Sequence, residues 1–392
     1  MSHACFKFGA AMLAVLCSAA APAATLSVAH SFDAGQCNLP QGSLLRTADG
    51  SLYGTCFSGG ANRAGILYRL APDGAFSLLH EFSYVSATDA SEPGPGPMLA
   101  SDGRIWGSAS GGGGENSSGA LYSIGTDGSG FQLNAVFSAD ATGVFPSPLL
   151  QTADGSFYGI TNQGGGRGGR GTLFRYSAGA GLVKVITFRS PRDAVFPTAG
   201  LTLGADGLLY GTANSGISSD TAGNEGTLFR IRQDGSGYQR LLGFQRATHG
   251  AFPTGELLLA ADGNFYGVTT QGGPLGGGTV YRYTPAGQFT LLHAFSGAAS
   301  DGAWPNGGLA QGADGALYGV TLHGGTGGSA DVGTVYRLAL DGSFTQLHSF
   351  DTTSPAGYAP YDRLTPAPDG SLYGSTWHGP AGTSGTVFRI VP

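Results

Sequence analysis

The sequence predicts an all-β fold, a seven-bladed β-propeller with four antiparallel strands in each blade. Three observations lead to this prediction: the amino-acid composition, a set of motifs that occurs seven times, and two chain ends that complete each other. The composition indicates the fold class, and the repeats and the ends indicate the architecture.

The composition is rich in glycine and aromatic residues and poor in charge. Of 392 residues, 71 are Gly, 22 are Phe and 16 are Tyr, whereas only 11% are charged. Soluble proteins average about 7% Gly and about 25% charged residues, so an ordinary helical or α/β protein is not expected. Short strands joined by tight turns explain this composition. The 41% of hydrophobic residues argues against disorder.

A unit of about 52 residues recurs along the chain. Its marker is Asp-Gly-x-x-(Tyr/Trp)-Gly, and we number the repeats one to seven by this motif. Motifs that resemble Gly-Thr-(Val/Leu)-(Phe/Tyr)-Arg and Leu-Leu-His-x-Phe accompany each copy. The markers begin at Asp49, Asp102, Asp154, Asp206, Asp262, Asp314 and Asp369. Helical solenoids are excluded because a 3.6-residue pattern is missing, and the β-propeller remains.

Repeat five shows the strands of one unit most clearly. The sequence predicts strands at Leu257–Ala260, Asn264–Thr270, Thr279–Tyr283 and Phe289–Phe295. Asp-Gly and Pro-Ala-Gly separate apolar runs, and such pairs are hairpin signals because glycine adopts positive φ at little cost. Each repeat is therefore predicted to be a four-stranded antiparallel meander.

The two ends of the repeat region are complementary. Leu26–Phe32 resembles a fourth strand without the first three, and Gly385–Ile390 resembles a third strand without a fourth. We therefore expect the N-terminal strand to close the last blade. Residues 25–392 are predicted to form one propeller domain.

These motifs resemble those of the GloVer tandem-repeat proteins, the exported "choice-of-anchor" repeats. Repeat seven carries Asp369-Gly-Ser-Leu-Tyr-Gly-Ser-Thr376 and Gly385-Thr-Val-Phe-Arg389, and repeat six ends in Leu347-His-Ser-Phe350. The resemblance implies an exported repeat protein, often tethered by a C-terminal sorting segment. Here Ile390-Val-Pro392 ends the last repeat, so no such anchor is expected. The family implies no particular reaction.

The first 24 residues have the pattern of a secretory signal peptide. Lys7 precedes an apolar run from Phe8 to Leu16, and Ala21 and Ala23 form an Ala-x-Ala cleavage pattern. The run is too short for a transmembrane helix. A lipid anchor on Cys17 is the alternative. We therefore expect a secreted or periplasmic protein.

Two of the four cysteines remain after this cleavage, namely Cys37 and Cys56. An oxidising compartment favours a disulfide between them. The alternative is a pair of free thiols.

Charge and motifs exclude several functions. The net charge is −6 and no run of Lys or Arg forms a basic stripe, so nucleic-acid binding is not expected. Asp-Gly turns explain the repeated aspartates, because the spacing of a calcium loop is missing. No nucleophile elbow, zinc-protease motif or phosphate loop occurs. We expect a monomer with no metal and no cofactor.

Residue types that recur in one place are expected to serve the fold. This applies to the histidines of the Leu-x-His-x-Phe motif, which are His30, His80, His293 and His348. The recurring arginines are interpreted as hydrogen-bonding groups between blades; they are Arg69, Arg175, Arg230, Arg282, Arg337 and Arg389.

Function is expected where the repeats differ, on the face with the longer loops after strands two and four. Repeats six and seven place aromatic, histidine and charged residues in these loops. The ligand-binding candidates are Asp301, Trp304, His323, Tyr361, Arg363, Trp377 and His378. In one interpretation the aromatic side chains fill space between blades, and a ring of polar residues that precede the Gly-rich loops holds water. These residues are Ser58, Ser110, Gln163, Ser215, Gln271, His323 and His378. In the other interpretation the candidate residues bind a saccharide or another small polar molecule.

Three functions remain open. The first is a non-catalytic binding or interaction module, with a glycan as its expected ligand. The second is a polysaccharide lyase or glycoside hydrolase that uses a His, Tyr and Arg site at the channel mouth. The third is a cell-surface adhesion scaffold.

Overall fold

The computed structural model describes residues 23–94, 96–114, 118–189, 194–197, 199–216, 225–326, 332–380 and 383–392. Nearly all of the expected signal peptide lies outside these residues, as does Asp193. Every regular element in the described part of the chain is a β-strand. The fold is therefore all-β, as predicted.

Strand β1 (Thr25–Asp33) precedes the repeats. Repeats one to three contain β2 (Asn38–Arg46), β3 (Leu52–Ser58), β4 (Ile66–Leu70), β5 (Phe76–Glu81), β6 (Ala90–Pro93), β7 (Met98–Leu99), β8 (Ile105–Gly112), β9 (Ala120–Ile124), β10 (Gln132–Val136), β11 (Val144–Pro146), β12 (Leu150–Gln151), β13 (Phe157–Gln163), β14 (Thr172–Ser177) and β15 (Gly181–Thr187).

Repeats four to seven contain β16 (Ala194–Val195), β17 (Thr202–Leu203), β18 (Leu209–Ala213), β19 (Ser215–Gly216), β20 (Thr227–Ile231), β21 (Gln239–Gly243), β22 (Ala251–Leu259), β23 (Phe265–Gln271), β24 (Thr279–Tyr283), β25 (Phe289–Ala294), β26 (Ala303–Gln311), β27 (Leu317–His323), β28 (Thr334–Leu338), β29 (Phe344–Ser349), β30 (Tyr358–Pro360), β31 (Thr365–Pro366), β32 (Leu372–His378) and β33 (Thr383–Val391).

The strands of a repeat form an antiparallel sheet in chain order, except that in repeat four β16 and β19 pair separately from the sheet β17-β18-β20-β21. Repeat one is β2-β3-β4-β5 and repeat five is β22-β23-β24-β25. In repeats two, three and seven the first strand is interrupted, and two short segments pair with the second strand in its place. A parallel bridge between Glu256 and Gly308 links the first strands of repeats five and six. The first strands therefore lie closest to the neighbouring repeats, and the fourth strands lie outermost.

The first strand is longer than the sequence predicted. In repeat five it begins at Ala251 and runs through Phe252-Pro253, with a register shift between Thr254 and Leu258. The residue before the proline has positive φ in each repeat; these residues are Leu39, Glu92, Phe145, Phe196, Phe252, Trp304 and Ala359. Residues with a side chain rarely adopt this conformation. Because it occurs at the same position in every repeat, it is part of the structure of the repeat. The apolar pattern missed this segment because Phe-Pro interrupts the alternation.

The ends of the repeat region close as predicted. Strand β1 pairs antiparallel with β33, with Leu26 opposite Ile390 and Phe32 opposite Gly385. The fourth strand of the last sheet thus comes from the opposite end of the chain. Phe32 is fully buried in a cluster that also contains Leu44 and Tyr68 of repeat one. The last sheet is therefore packed directly against the first repeat.

The hydrophobic core lies between neighbouring sheets. Buried clusters join repeats one and two, two and three, three and four, four and five, five and six, and six and seven. Histidines of the outer strands add to them by stacking on a Phe of the next repeat, as His80 does on Phe131 at 3.9 Å and His293 on Phe344 at 4.1 Å. The structural interpretation of these histidines is therefore correct.

Five of the six recurring arginines pair with the aspartate of their own Asp-Gly turn, so the prediction that they link repeats is wrong for Arg69, Arg175, Arg230, Arg337 and Arg389. Arg389 binds Asp369 of its own Asp-Gly turn at 2.7 Å, and Arg337 binds Asp314 in the same way. Tyr373 and Tyr318 lie opposite these arginines on the second strand, which begins next to the turn. Each Arg therefore tightens its own hairpin.

Cys37 and Cys56 form a disulfide, as predicted, with their Cα atoms 5.4 Å apart. Cys37 lies between β1 and β2, and Cys56 lies on β3. The disulfide therefore links β3 to the segment that runs from β1 in the last sheet to β2 in the first repeat.

Reduction of this disulfide is expected to destabilise the protein by about 3 kcal/mol, because it frees a loop of 19 residues in the unfolded chain. Urea unfolding with and without dithiothreitol measures the loss. The Cys37→Ser/Cys56→Ser variant is the control, because its midpoint should match that of the reduced protein and ignore the reductant. A reductant-sensitive midpoint in that variant would contradict the assignment.

Candidate functional site

The first strands enclose a central cavity of about 590 Å³. Residues of every repeat line it, including Gln41, Met98, Leu149, Gly200, Glu256, Asn306 and Asp362. The polar side chains come mainly from repeats one, five, six and seven, and the apolar ones from repeats two and three. The cavity is therefore polar on one side and apolar on the other.

Small residues on the first strands keep the cavity open. Residues immediately before the recurring leucines of these strands are Ser43, Pro148, Gly200, Glu256, Gly308 and Arg363. Gly200 allows the Glu256 side chain to approach closely, because a Cβ at Gly200 would lie 2.7 Å from its Cγ atom. The position before the leucine carries a charged residue only in repeats five and seven, as Glu256 and Arg363.

These two charges meet in the cavity. Arg363 Nη1 donates to Glu256 Oε2 at 3.1 Å, although 107 residues separate them. The Arg363 side chain is 37% exposed and that of Glu256 is 25% exposed, so both can still reach a molecule in the cavity. A partly exposed ion pair of this kind contributes little to stability, and its polar groups remain suited to hydroxyl or carboxylate ligands.

Asp362 lies beside this pair, at the junction between repeats seven and one. Its Oδ2 accepts a hydrogen bond from the Gly42 backbone N–H at 2.7 Å. Asp362 lines the cavity and is half-buried, and desolvation raises the pKa of its carboxyl to about 7, against the effect of the Gly42 hydrogen bond. A carboxyl with this pKa exchanges its proton near neutral pH.

Asp362 should make the stability of the protein depend on pH. A pKa raised from 3.8 to about 7 means that the folded state binds the proton more tightly than the unfolded chain. Its contribution is fully present below about pH 4, falls as the pH rises towards 7, and then stays constant. The measurement is the unfolding free energy from pH 4 to 8, compared with Asp362→Asn.

The difference between wild type and this variant isolates Asp362 from the turn aspartates. The pKa of the turn residue Asp369 is lowered to about 2 by its hydrogen bonds with Ser371 and Arg389, and lowered pKa values are also found for Asp49, Asp154, Asp262 and Asp314. These carboxyl groups therefore act in the opposite direction and at lower pH. A difference that stays constant from pH 4 to 8 would contradict the prediction.

Some of the predicted candidates meet in pairs. Tyr361 lines the cavity and stacks on Trp377 at 3.9 Å, and burial raises the pKa of the Tyr361 phenol. His378 packs against Tyr358 at 4.8 Å. Of the predicted residues, Tyr361 and Arg363 are the ones that reach the cavity itself, and Trp377 supports Tyr361.

Trp304 and His323 form a separate pair in repeat six. Their rings meet edge to face at 4.1 Å, and Trp304 is 41% exposed. Trp304 precedes Asn306, which lines the cavity, by two residues on β26. Because a strand rises about 3.3 Å per residue, the Trp304 backbone lies at the edge of the cavity wall.

Asp301 forms a hydrogen bond with the fourth strand of repeat five, β25. One carboxylate oxygen binds His293 Nε2 at 2.7 Å, and the other accepts from Ser296 N and Oγ at 2.7 Å. Asp89 and His80 form the same pair in an earlier repeat. Asp301 therefore anchors a loop.

Sequence reasoning missed Glu256 and Asp362. The signal for Glu256 was present: it is a charged residue in a place where most repeats have Gly, Ser or Pro. Asp362 gave no comparable signal, because its importance comes from burial against repeat one.

Two structural properties bear on binding partners. Among the described residues, no cluster of three or more His, Cys, Asp or Glu is placed to share a metal ion. The described part of the chain also contains no helix with the length and hydropathy needed to cross a membrane.

The solved structures similar to this chain include the following two, both with TM-scores above 0.5. One is a periplasmic gluconolactonase from Pseudomonas aeruginosa, with 17% identity and a TM-score of 0.52 over 90% of this chain and 88% of that one. The other is puromycin hydrolase, with 15% identity and a TM-score of 0.58 over 91% of this chain. This chain spans about half (52%) of the puromycin hydrolase chain. Similarity at this level concerns the fold alone, and it supports a propeller-like arrangement.

Curated protein sequences give no match to the chain. The model of the Gloeobacter/Verrucomicrobia repeat matches residues 39–222 and 217–392. These matches cover the repeats from β2 to β33, and the chain therefore belongs to the Gloeobacter/Verrucomicrobia repeat family, as its motifs indicated.

Proposed function

We propose that this protein is an exported, monomeric, non-catalytic binding module that holds a small saccharide in its central cavity. Its signal peptide is residues 1–24, and residues 25–392 form one domain, a closed ring of seven blades. The observation that carries the proposal is the ion pair of Glu256 and Arg363 inside a cavity of about 590 Å³. Ligand pockets typically measure about 300–1,000 Å³.

The ring is supported by a contact that recurs between consecutive repeats. The glycine of the Gly-Thr motif packs under the proline of the next repeat, in the pairs Gly65–Pro93, Gly119–Pro146, Gly171–Pro197, Gly226–Pro253, Gly278–Pro305, Gly333–Pro360 and Gly385–Pro40. The last pair joins repeat seven to repeat one. Equivalent contacts at every junction favour equivalent blades in a closed ring.

The chemistry of the cavity favours a saccharide. Glu256 accepts and Arg363 donates hydrogen bonds, so together they suit hydroxyl groups, which do both. Tyr361, supported by Trp377, adds an aromatic surface for the apolar face of a sugar ring. Disulfide formation between Cys37 and Cys56 is consistent with export.

Removal of the Arg363 side chain should reduce binding of the cognate saccharide by about fivefold to 150-fold. The truncation removes donors and leaves Glu256 unpaired, which typically costs about 1–3 kcal/mol. Isothermal titration with oligosaccharides selected from a glycan panel measures the effect. Arg389→Ala is the matched control, because that arginine pairs with Asp369 in a turn and is 36% exposed. Equal binding by wild type and Arg363→Ala would exclude the cavity.

A second candidate is an enzyme, a polysaccharide lyase or glycoside hydrolase. It is favoured by Asp362, whose pKa of about 7 suits a general acid or base beside Arg363. Incubation of the same oligosaccharides with the protein distinguishes the two. Product that disappears with Asp362→Asn supports the enzyme, and binding without product supports the module.

A further inference from the structure

The positive charge of the chain is concentrated in repeat three. Residues 155–192 contain six Lys or Arg and no Asp or Glu, in a protein whose net charge is −6. Arg175 is turned to the Asp-Gly end of the repeat, where it pairs with Asp154. Arg167 and Arg170 lie instead on the Gly-rich loop between β13 and β14, on the opposite face, and both are exposed.

This loop has a fixed backbone. Gly165 N donates to Ala139 O at 2.8 Å, Gly169 N to Gly166 O at 2.8 Å, and Arg170 N to Phe188 O at 3.0 Å. The Lys184 ammonium also donates to Gly165 O at 3.2 Å, which brings a third positive charge to the loop. The arginines are thus displayed from a preorganised segment, so that little ordering is needed on binding.

Repeat five shows that the fold does not need these arginines. Its loop makes the same contacts: Gly276 N donates to Gly273 O, Gly277 N to Phe295 O, and Trp304 N to Gly277 O. Gly277 therefore takes the place of Arg170, whose carbonyl accepts from Phe196 N. The loop tip is Pro274-Leu275 in repeat five where repeat three has Arg167-Gly168, so the loop of repeat five carries no arginine. The charges in repeat three are consequently an addition to a loop that folds without them.

Phe196 lies against the charged loop, and Phe145 follows Val144, which pairs with Gln163 at the start of that loop. The Arg170 guanidinium lies 5.7 Å from the centre of the Phe196 ring, which holds the cation in place while leaving it exposed. Phe145 of the same repeat is 49% exposed.

We propose that the loops of repeat three form a second binding surface, which recognises an acidic polysaccharide through Arg167, Arg170 and Lys184. The guanidinium groups pair with uronate carboxylates, and Phe145 packs against the apolar faces of the sugar rings. An extended polymer fits better than a small anion, because the charges lie on an open surface. None of these described residues lines the central cavity, so the two sites are separate.

The test is titration of the purified protein with polygalacturonate, with dextran of equal length as the neutral control. We expect binding of polygalacturonate that weakens as salt is added, and no binding of dextran. The Arg167→Leu/Arg170→Gly variant removes both loop arginines, which the loop of repeat five also lacks, and should lose at least tenfold in affinity while remaining folded. Arg175→Ala removes a charge from the same repeat on the other face and should bind normally.

Three results would overturn the proposal. They are unchanged affinity in Arg167→Leu/Arg170→Gly, equal affinity for dextran, and equal affinity for a single-stranded oligonucleotide or for phosphatidylglycerol vesicles. The last would show a general polyanion surface. Arg363→Ala should retain binding to polygalacturonate, so failure of the cavity proposal is distinguishable from failure of this one.

Discussion

Replacing Gly278 with Ala should destabilise the protein by about 2 to 5 kcal/mol. Gly278 has φ +100°, and a Cβ there would lie 2.7 Å from Pro305 Cδ and closer still to the Thr269 carbonyl oxygen. The left-handed conformation costs an alanine about 1–2 kcal/mol, and overpacking adds about 1–3 kcal/mol. The junction between repeats five and six cannot relax easily, because one of the obstructing atoms is backbone. Urea unfolding measures the loss.

Gly263→Ala separates the two causes. Gly263 lies in the Asp-Gly turn of the same repeat with φ +78°, and nothing lies within 4 Å of the Cβ that the substitution would add. This variant should therefore lose only the conformational part, about 1–2 kcal/mol. Equal losses in the two variants would mean that the contact between Gly278 and Pro305 contributes nothing.

Replacing Phe32 with Ala should cost about 3–5 kcal/mol, the typical effect of removing a buried phenylalanine ring. Phe32 is fully buried, and its ring meets those of Tyr68 at 5.1 Å and Phe76 at 6.2 Å. It belongs to β1, so the cavity left behind lies where the last sheet meets repeat one. Thermal and urea unfolding measure the loss, and limited proteolysis shows whether β1 detaches first.

Val28→Ala is the matched control on the same strand. Val28 is 36% exposed, and its truncation should cost about 1 kcal/mol or less. If Phe32→Ala were as stable as Val28→Ala, β1 would not be an integral part of the last sheet.

The candidate site shows where sequence reasoning reached its limit. Arg363 and Tyr361 were predicted because repeat seven departs from the common pattern at these positions. Glu256 departs from it too, but nothing local indicates that it faces Arg363 across 107 residues. Asp301 was selected for its residue type, whereas its role comes from His293 and Ser296, which occupy both carboxylate oxygens. The prediction for the recurring arginines had the same weakness, because their recurrence indicated a structural role but not the partner of each side chain.

The all-β class, the repeats, the strand that closes the last sheet and the disulfide could be predicted from the amino-acid sequence. These follow from composition, periodicity, turn residues and complementary ends. Which side chains share the cavity, which arginines close their own turns, and how Asp362 lies against Gly42 became known from the three-dimensional structure. Those properties depend on distances between residues far apart in the chain. A pattern that recurs about every 52 residues gives each repeat the same local signal and does not indicate which residues of other repeats lie opposite it.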